Sequence, residues 1–585
     1  MFGLHFSRLG SVNILAPINR ALSFISALSN SITPQRGSAA TFTRSTTATV
    51  VDQDSVVRTA KINEARFQGM RRVENLLSYS QDFSNAAWSG FGTVTRTSNT
   101  YAAPDGTLTA DSITIAASSG LYQGITPALN STYMASVYIR GDTSQTVEFL
   151  LNGTSTGVTS TTVTITPQWQ RAIVSKLTNS LDTSMSVQFY SSSTGAPFEV
   201  WGAQLENVTG QAVQTVGEYV STNVLSSPYH GAGVDGVKYF NTTLDGAPLS
   251  GKFLSEPART NLVRYSEQFD NVNWLRNNAT VTANTLVCPI GGGVLADTIT
   301  GLSVATSYVY QGCTLTQGLV YTQSVWAKIG TFTSGNQITI RDFNDYGYAA
   351  FDLTNSTLGA RIGTCSASYM TQYPDGWWRL EAVFTTTIVT GNHNIGIAFL
   401  NSITANTVYV AGHQIEAGNR ASSYIPTVAS AVTRAADSLS YPVTAYALQG
   451  GFSCTLIPTE APATAAMFYA VGLFGATNAD VIGIYTDAGT SDLSCYVRRA
   501  GASTLNLILG TVVAGTTYKV AISWAGTAVK ASVNGGAVIS GTASNMPTSL
   551  SSFNNSIDTV WNGQISDVKV FTQTLSDNTL RQLTT

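Results

Sequence analysis

One block of sequence occurs twice in this chain. Asn75-Leu76-Leu77-Ser78-Tyr79-Ser80-Gln81-Asp82-Phe83, followed by Trp88, returns 186 residues later as Asn261-Leu262-Val263-Arg264-Tyr265-Ser266-Glu267-Gln268-Phe269, followed by Trp274. The same offset links Ala110-Asp111-Ser112-Ile113-Thr114 to Ala296-Asp297-Thr298-Ile299-Thr300. It becomes 188 between Tyr133 to Tyr138 and Tyr321 to Trp326, 208 between Trp169-Gln170-Arg171 and Trp377-Trp378-Arg379, and 210 between Gln204-Leu205-Glu206 and Gln414-Ile415-Glu416. Insertions that collect between matching strand-like blocks are the mark of a duplicated domain whose loops vary while its core does not. A period this long is no solenoid, so the chain must contain two copies of one sizeable domain.

Composition narrows the fold of that domain. Only 11% of the 585 residues are charged and 10% are aromatic, against about 25% charged in ordinary globular proteins. Long Glu/Lys/Leu/Ala-rich helical stretches are missing, which favours β-structure with aromatic and β-branched cores. A net charge of −3 without a basic block gives no electrostatic footprint for nucleic acid. No run reaches the ~18 to 20 apolar residues that span a bilayer, and the region after Met1 has no signal-peptide pattern, so neither membrane insertion nor signal-peptide export is expected. Cys288, Cys313, Cys365, Cys454 and Cys495 form an odd set without C-x-x-C spacing. They read as small buried hydrophobes, with one bridge as the alternative. Simple counting sets Cys313 opposite Ile125 of the first copy and Cys288 opposite Ala102.

Residues 1 to about 36 differ from the rest. After Pro17, residues Ile18, Ala21, Leu22, Ile25, Leu28 and Ile32 fall on one helical stripe, with Ile18, Ile25 and Ile32 spaced by sevens. Pro17 suits a helix start and Pro34 a stop. Two heptads are too short to stand alone in water. The stripe, Ile18, Leu22, Ile25, Leu28 and Ile32, is therefore expected to dock on a sister helix in an oligomer, on another protein, or on a domain of its own chain.

Beyond it the pattern is short strands and turns. Val50 to Val57 resembles a hairpin, and Val237 to Phe240 through Gly251-Lys252-Phe253 is a comparable leader before the second copy. Tyr133, Ala135, Val137 and Ile139 share one face of a strand, leaving Met134, Ser136 and Tyr138 on the other. In the second copy Trp326 stands where the first has Tyr138. Many short alternating strands in about 140 residues indicate an antiparallel sandwich. A third, unrelated block comes next, with strands at Tyr518 to Trp524, Val529 to Val533 and Gly563 to Phe571. Asn534-Gly535 supplies a tight turn, and Leu575 to Leu583 reads as a short closing helix begun at Ser576.

The units N-L-L-x-Y-S-x-x-F followed by Trp, A-D-x-I-T, Y-x-x-S-V-Y/W, W-x-R and Q-L/I-E resemble the carbohydrate-binding-module-like jelly rolls of bacteriophage tail and other virion proteins. The run Gln414-Ile415-Glu416-Ala417-Gly418, Ser423-Tyr424-Ile425-Pro426-Thr427 and Thr433-Arg434-Ala435-Ala436-Asp437 carries the likeness most specifically. Residues from about 445 onward resemble a concanavalin A-like, laminin-G-type sandwich. The resemblance implies an all-β fold of tandem antiparallel β-sandwiches, two jelly rolls plus a concanavalin A-like sandwich, to which the apolar spacing after Pro17 adds a short N-terminal helical segment. The expected division is 1–39 for anchoring or oligomerisation, 40–222 and 223–440 for the two leaders with their jelly rolls, and 441–585 for the last sandwich. The first copy lacks the Tyr-Ile-Pro-Thr tail and has Glu218-Tyr219-Val220 instead, so its end is expected to be remodelled against the second leader. The third block shows no cluster of Asp and Asn for a lectin-type calcium site.

Motifs for chemistry are few. Gly231-Ala232-Gly233-Val234-Asp235-Gly236 matches G-x-G-x-x-G, but the strand Val237 to Phe240 comes where a dinucleotide site needs a helix, so it reads as a glycine turn. Gly153 to Gly157 matches G-x-S-x-G among Thr-rich strands and reads as a loop. His5, His230, His393 and His413 show no metal-ligand spacing, and no metal or cofactor is expected. A glycosidase would need a carboxylate pair, for which Asp342, Asp345 and Asp375 are the candidates; turn and loop positions are the plainer reading. Sugar binding fits better, because aromatic faces stack on pyranoses while amides and carboxylates take hydroxyls. The candidate contacts are Trp326, Tyr346, Tyr348 and Trp378, each also readable as core or interface, whereas Trp88, Trp169, Trp274 and Trp377 recur and read as core.

The resemblance implies a virion structural protein, a tail or head fibre or other appendage assembled in the host cytoplasm, and with so few catalytic groups it is expected to contribute to adhesion to host-surface glycans and not to be an enzyme. Its expected partners are other virion proteins, further copies of itself, most simply in a trimer, and a host glycan. The alternatives are a purely structural decoration or connector, and a polysaccharide-degrading tailspike.

Overall fold

The structure, a computed structural model, describes residues 22–302, 306–332, 337–400, 405–445, 448–460, 468–477, 479–486, 490–555 and 560–585. It is built almost wholly of antiparallel strands; among the described residues the helical elements are a single 3-10 turn, Pro374–Gly376, and the helix Asp577–Thr584. The described chain divides into two compact units, one drawn from residues 29–33 with 41–438, the other from 22–28 and 34–40 with 439–585.

The first of these units holds both repeats, and each repeat is a two-sheet sandwich of the same topology. In the first, one sheet runs Ser89–Phe91, Ser119–Ile125, Met185–Ser191, Thr146–Gly153, Gly157–Thr164. Its partner sheet runs Val94–Tyr101, Ala110–Ile115, Phe198–Asn207, Thr132–Arg140, Gln170–Leu177. The second repeat reproduces both orders and adds one strand to each sheet, Thr357–Ile362 and Cys365–Gln372. Those two extra strands, one in each sheet, account for most of the jump in offset from 188 to 208.

Repeated residues do repeated work. Asn75 Nδ2 donates to the carbonyls of Ala203 and Val220, and its Oδ1 accepts from the amides of Leu77 and Leu205. Asn261 does the same with His413, Ile425, Val263 and Ile415. One buried side-chain amide thus satisfies four backbone groups where the chain enters each sandwich, which apolar residues could not do. Trp88 Nε1 donates to Tyr79 O at 3.1 Å and Trp274 Nε1 to Tyr265 O at 2.9 Å. Asp111 caps the amides of Phe83 and Asn99, as Asp297 caps Phe269 and Asn284. Gln204 accepts from Val220 N and Gln414 from Ile425 N, both at 2.7 Å. The first copy's tail therefore keeps the backbone bond of the second despite losing Tyr-Ile-Pro-Thr. The next segment keeps the pairing too, since Val237–Phe240 lies antiparallel to Arg71–Glu74 as Val432–Arg434 does to Arg259–Asn261.

Strand register revises one sequence match. Tyr101 faces Ala110 as Leu286 faces Ala296, so Ala103-Pro104-Asp105-Gly106 corresponds to Cys288-Pro289-Ile290-Gly291, and Cys288 takes the place of Ala103 rather than Ala102. A one-residue insertion in the turn after it restores the offset. All five cysteines are free and buried.

The unit ending the chain is also a sandwich. One of its sheets places Ile539–Thr542, Ala528–Val533, Tyr518–Ala525, Gln449–Pro458 and Gly563–Phe571 side by side, and the other includes Leu550–Asn554, Phe468–Phe474, Val481–Thr486, Asp492–Arg499 and Ala502–Thr511. Asn534 and Gly535 take φ values of 47° and 71° at the tight turn. Ser576 caps the closing helix through Thr579 N.

The N-terminal helix expected from the heptad pattern is not what forms. Leu22–Ser26 is a strand antiparallel to Gly563–Phe571, with Leu22, Phe24 and Ser26 buried. Phe24 packs 4.7 Å from Tyr441, and Leu22 joins Ala521, Phe571, Leu575 and Leu580. Two heptads offer too few hydrogen bonds to nucleate a lone helix, whereas an open sheet edge supplies a ladder at once. Leu22, Leu28 and Ile32 are buried and Ile25 is partly so, which leaves these residues no free oligomerisation stripe; Ile18 lies outside the described residues.

Candidate functional site

The four aromatics expected to contact sugar do not converge. Trp326 is 0% exposed, packed edge-on against Tyr373 and Tyr424 with the Arg379 guanidinium 4.8 Å from its ring centroid. It is a core residue and presents no face to a ligand. Trp378 is half-buried against the second sandwich's core. Tyr348 lies in the opposite sheet under Arg341, 4.7 Å away. Tyr346, at a φ of 51°, is 84% exposed at a hairpin tip. Trp88, Trp274 and Trp377 are core as expected, while Trp169 is only half-buried.

The carboxylate candidates also face inward. Asp342 and Asp345 are 2% and 7% exposed. Asp342 Oδ2 lies 2.7 Å from His393 Nδ1, its Oδ1 accepts from Asn344 N and Asp345 N, and Asp345 takes both Thr387 N and Thr387 Oγ1. Register shows what these groups replace. Asp342 pairs with Ile395 as Leu151 pairs with Val187, and Cys313 pairs with His393 as Ile125 pairs with Met185. Two core positions, Leu151 and Met185, have become a buried Asp342–His393 pair. Ligand atoms of Asp342, Asp345 and His393 lie within 4.8 Å of one another, a donor set of one imidazole and two carboxylates that could hold a divalent cation. Motif spacing does not reveal this grouping, because 51 residues separate the histidine from its partner. The carboxylates are already committed to His393, Thr387 and turn amides, while His393 Nε2 is buried without a hydrogen-bond partner among the described residues. Asp375 sits apart in the turn Pro374–Gly376.

A real cleft opens on the first sandwich instead. A cavity of about 870 Å³ is lined by Gln81 and Asp82, by Asn99 and the turn Pro104 to Thr109, by Tyr138 and Trp201 on the outer face of the sheet, and by Tyr219 to His230. Its size falls in the range of small-molecule clefts, about 300–1,000 Å³. The aromatic wall is a chain of three rings: Tyr138 and Trp201 have centroids 5.5 Å apart, Trp201 and Tyr219 4.6 Å. Gly202, at a φ of 66°, makes the bulge that turns Trp201 toward this side, and a Cβ there would meet the Tyr219 ring at 3.3 Å. Gly412 occupies the same bulge in the second copy.

Polar groups continue the wall. Trp201 Nε1 donates to Thr109 Oγ1 at 3.0 Å, Thr109 meets Thr107 at 2.6 Å, and Thr107 Oγ1 donates to Asp105 Oδ1 at 2.6 Å. Tyr219 OH bonds Ser80 Oγ at 2.6 Å, and burial holds its phenol above the ordinary range, keeping it protonated. His230 Nε2 lies 3.0 Å from Ser221 Oγ. Burial lowers the His230 imidazole below its usual value, so it is neutral at neutral pH.

In the second repeat the same place is filled. Ile290 stands for Asp105, Trp326 for Tyr138 and Ala411 for Trp201, and these pack with Cys288, Tyr373, Trp377, Tyr424 and the first leader's Val57 into one apolar cluster. Val57 N donates to Pro289 O at 2.8 Å, and Val57 O accepts from Gly291 N at 2.9 Å. One repeat thus closes its groove on a leader strand, and in the other a cavity lined by aromatic and polar groups remains.

No known protein family matches the chain, and no curated protein does. Solved structures offer weak likenesses. The tandem CBM22 domains of Paenibacillus barcinonensis Xyn10C align over 59% of this chain and 98% of theirs, at 13% identity and a TM-score of 0.20. A Ruminococcus gnavus sialidase CBM40 bound to α2,6 sialyllactose aligns over 24% and 85%, at 15% and 0.20. Mouse laminin α1 domains LG4-5 align over 46% and 88%, at 11% and 0.17.

Proposed function

We propose that the chain is a carbohydrate-binding structural protein whose site is the open groove of the first sandwich, bounded by Tyr138, Trp201 and Tyr219. The observation that carries this reading is the contrast between the repeats. Both inherit one fold and one bulge, yet the first lines a cavity here with half-buried Tyr138 and Tyr219, the largely buried edge of Trp201 and exposed polar groups, where the second has a closed apolar cluster. Ring faces bury the apolar side of a pyranose, and Asp82, Asp105, Gln81 and the threonines exchange water for sugar hydroxyls. Binding, not hydrolysis, is the proposed activity. The larger setting, a phage appendage that holds host glycans through many copies, is supported by the resemblance of the repeated motifs to virion jelly rolls; multiplied weak sites give avidity without one tight site.

A glycan array followed by titration calorimetry tests the binding reading. Wild-type chain is expected to bind, and Trp201→Ala to lose at least tenfold, since stacking on an aromatic is worth about 0.5–1.5 kcal/mol beyond its buried area. Equal binding by Trp201→Ala refutes this location. Release of reducing ends from a bound polysaccharide would replace binding with catalysis, and absence of the protein from purified particles would remove the virion setting.

A further inference from the structure

We infer that this groove, on the reading that it is a carbohydrate site, discriminates by charge: it takes neutral and amino-bearing sugars and rejects uronic and sialic acids. Its lining carries charge of one sign. Of the fourteen lining residues the acidic ones are Asp82 and Asp105, and none is Lys or Arg. Asp82 is half-buried and Asp105 exposed at the rim. Each has one oxygen in a local turn, Asp82 Oδ1 accepting from Ser84 N and Asp105 Oδ1 from Thr107 N. The Oδ2 of each has no hydrogen-bond partner among the described residues. The remaining titratable lining groups, His230 and the tyrosines, add no positive charge at neutral pH.

The guanidinium next to the aromatic wall does not change the balance. Arg171 Cζ lies 5.4 Å from the Tyr138 ring centroid and its nitrogens donate to Ser136 Oγ, so it braces the ring and is not part of the lining. Behind His230 the charges of Lys238 and Asp235 oppose one another, so a sugar carboxylate would enter beside two lining carboxylates with no lining cation to receive it, and would lose water without a charge-matched partner. A ring ammonium would find two acceptors with free lone pairs, a charge-assisted pairing about twice as strong as a neutral one. The filled groove of the second repeat reinforces the point, since Ile290 removes there the acid that Asp105 contributes here.

The test uses the full chain on an array of neutral, amino-bearing and acidic oligosaccharides, with Asp82→Asn/Asp105→Asn and Trp201→Ala beside it and circular dichroism to confirm folding. Wild type is expected to bind neutral and amino-bearing glycans and to leave uronates and sialates at background. The double variant is expected to lose at least tenfold on amino sugars and to gain acidic ligands. An acidic glycan bound by wild type and lost in Trp201→Ala overturns the charge rule while leaving the groove as the site. Absence of any glycan that depends on Trp201 overturns the site itself.

Discussion

Asp437→Asn is the change with the largest expected effect on the body that carries the groove. Asp437 is fully buried where the tail of the second repeat returns to both leaders. Its Oδ1 lies 3.0 Å from Arg44 Nη1 and its Oδ2 2.5 Å from Arg66 Nη2, with Arg434 Nη1 at 3.9 Å. Oδ2 also accepts from Glu256 N at 3.0 Å. The other buried carboxylate here is Glu256, 2.8 Å from Arg66 and 3.5 Å from Arg434. Three buried guanidiniums therefore face two carboxylates, and the variant leaves them one. Breaking a buried pair on one side costs about 3–5 kcal/mol, because the surviving charge stays desolvated. Unfolding entropy near 2.1 cal/mol/K per residue, over a unit of roughly 400 residues, converts this to a drop in Tm of about 4–6 °C. Differential scanning calorimetry of the full chain measures it. A drop under about 1 °C would refute the idea that this network closes the unit, and would mean that water or Glu256 alone compensates the arginines.

Acid should weaken the same region. Burial alone would raise the Glu74 carboxyl, but Arg72 and Lys61 hold it down at about 2 from an ordinary 4.5; a depressed carboxyl contributes stability above pH 4.5 that is lost as pH falls toward 2, on the order of 3 kcal/mol, readable in urea midpoints and absent from Glu74→Gln. Burial lowers His413 to about 3 from 6.5; the unfolded chain then binds a proton that the folded chain refuses, so stability should fall from pH 6.5 to 3, and His413→Ala, the residue found at Ala203 of the first repeat, should flatten that slope. Asp342→Leu with His393→Met restores the first repeat's core residues, and chemical denaturation should find the pair neutral or stabilising by about 1–4 kcal/mol while Asp342→Leu alone destabilises. Phe24→Ala should cost the C-terminal unit about 3–5 kcal/mol in the same assay, an effect that a segment docked elsewhere would not show.

The duplicated fold is legible in the sequence because its signals are local and obligatory. Asn75 and Asn261 must satisfy four backbone groups, Trp88 and Trp274 must fill a core, and Asp111 and Asp297 must cap loops, so each pair persists while the loops change length. The groove is not legible, for two reasons. It is assembled from segments as far apart as Gln81 and His230, and the offset of 186 residues hides the match of Asp105 with Ile290 behind a one-residue insertion. Aromatics also accumulate in the second copy for a reason unrelated to ligands, since Trp326 replaces Tyr138 in order to fill space. The usable signal is a change of polarity at matched positions, Asp105 to Ile290 and Trp201 to Ala411, within otherwise similar blocks. At the N-terminus the spacing of Ile18, Ile25 and Ile32 suggests a helix, but Leu22, Phe24 and Ser26 also alternate, and the open edge beside Gly563–Phe571 decides between the two periods.

One repeat open to a sugar, and the other sealed by its own chain, is the contrast on which the functional reading depends. A crystal structure of the full chain with the strongest array ligand tests it most directly. One glycan per chain, its ring against Tyr138, Trp201 and Tyr219 with the cluster around Trp326 intact, is the expected result. A glycan seated on the second repeat, at Tyr346 and Tyr348 or in place of Ile290, would contradict it.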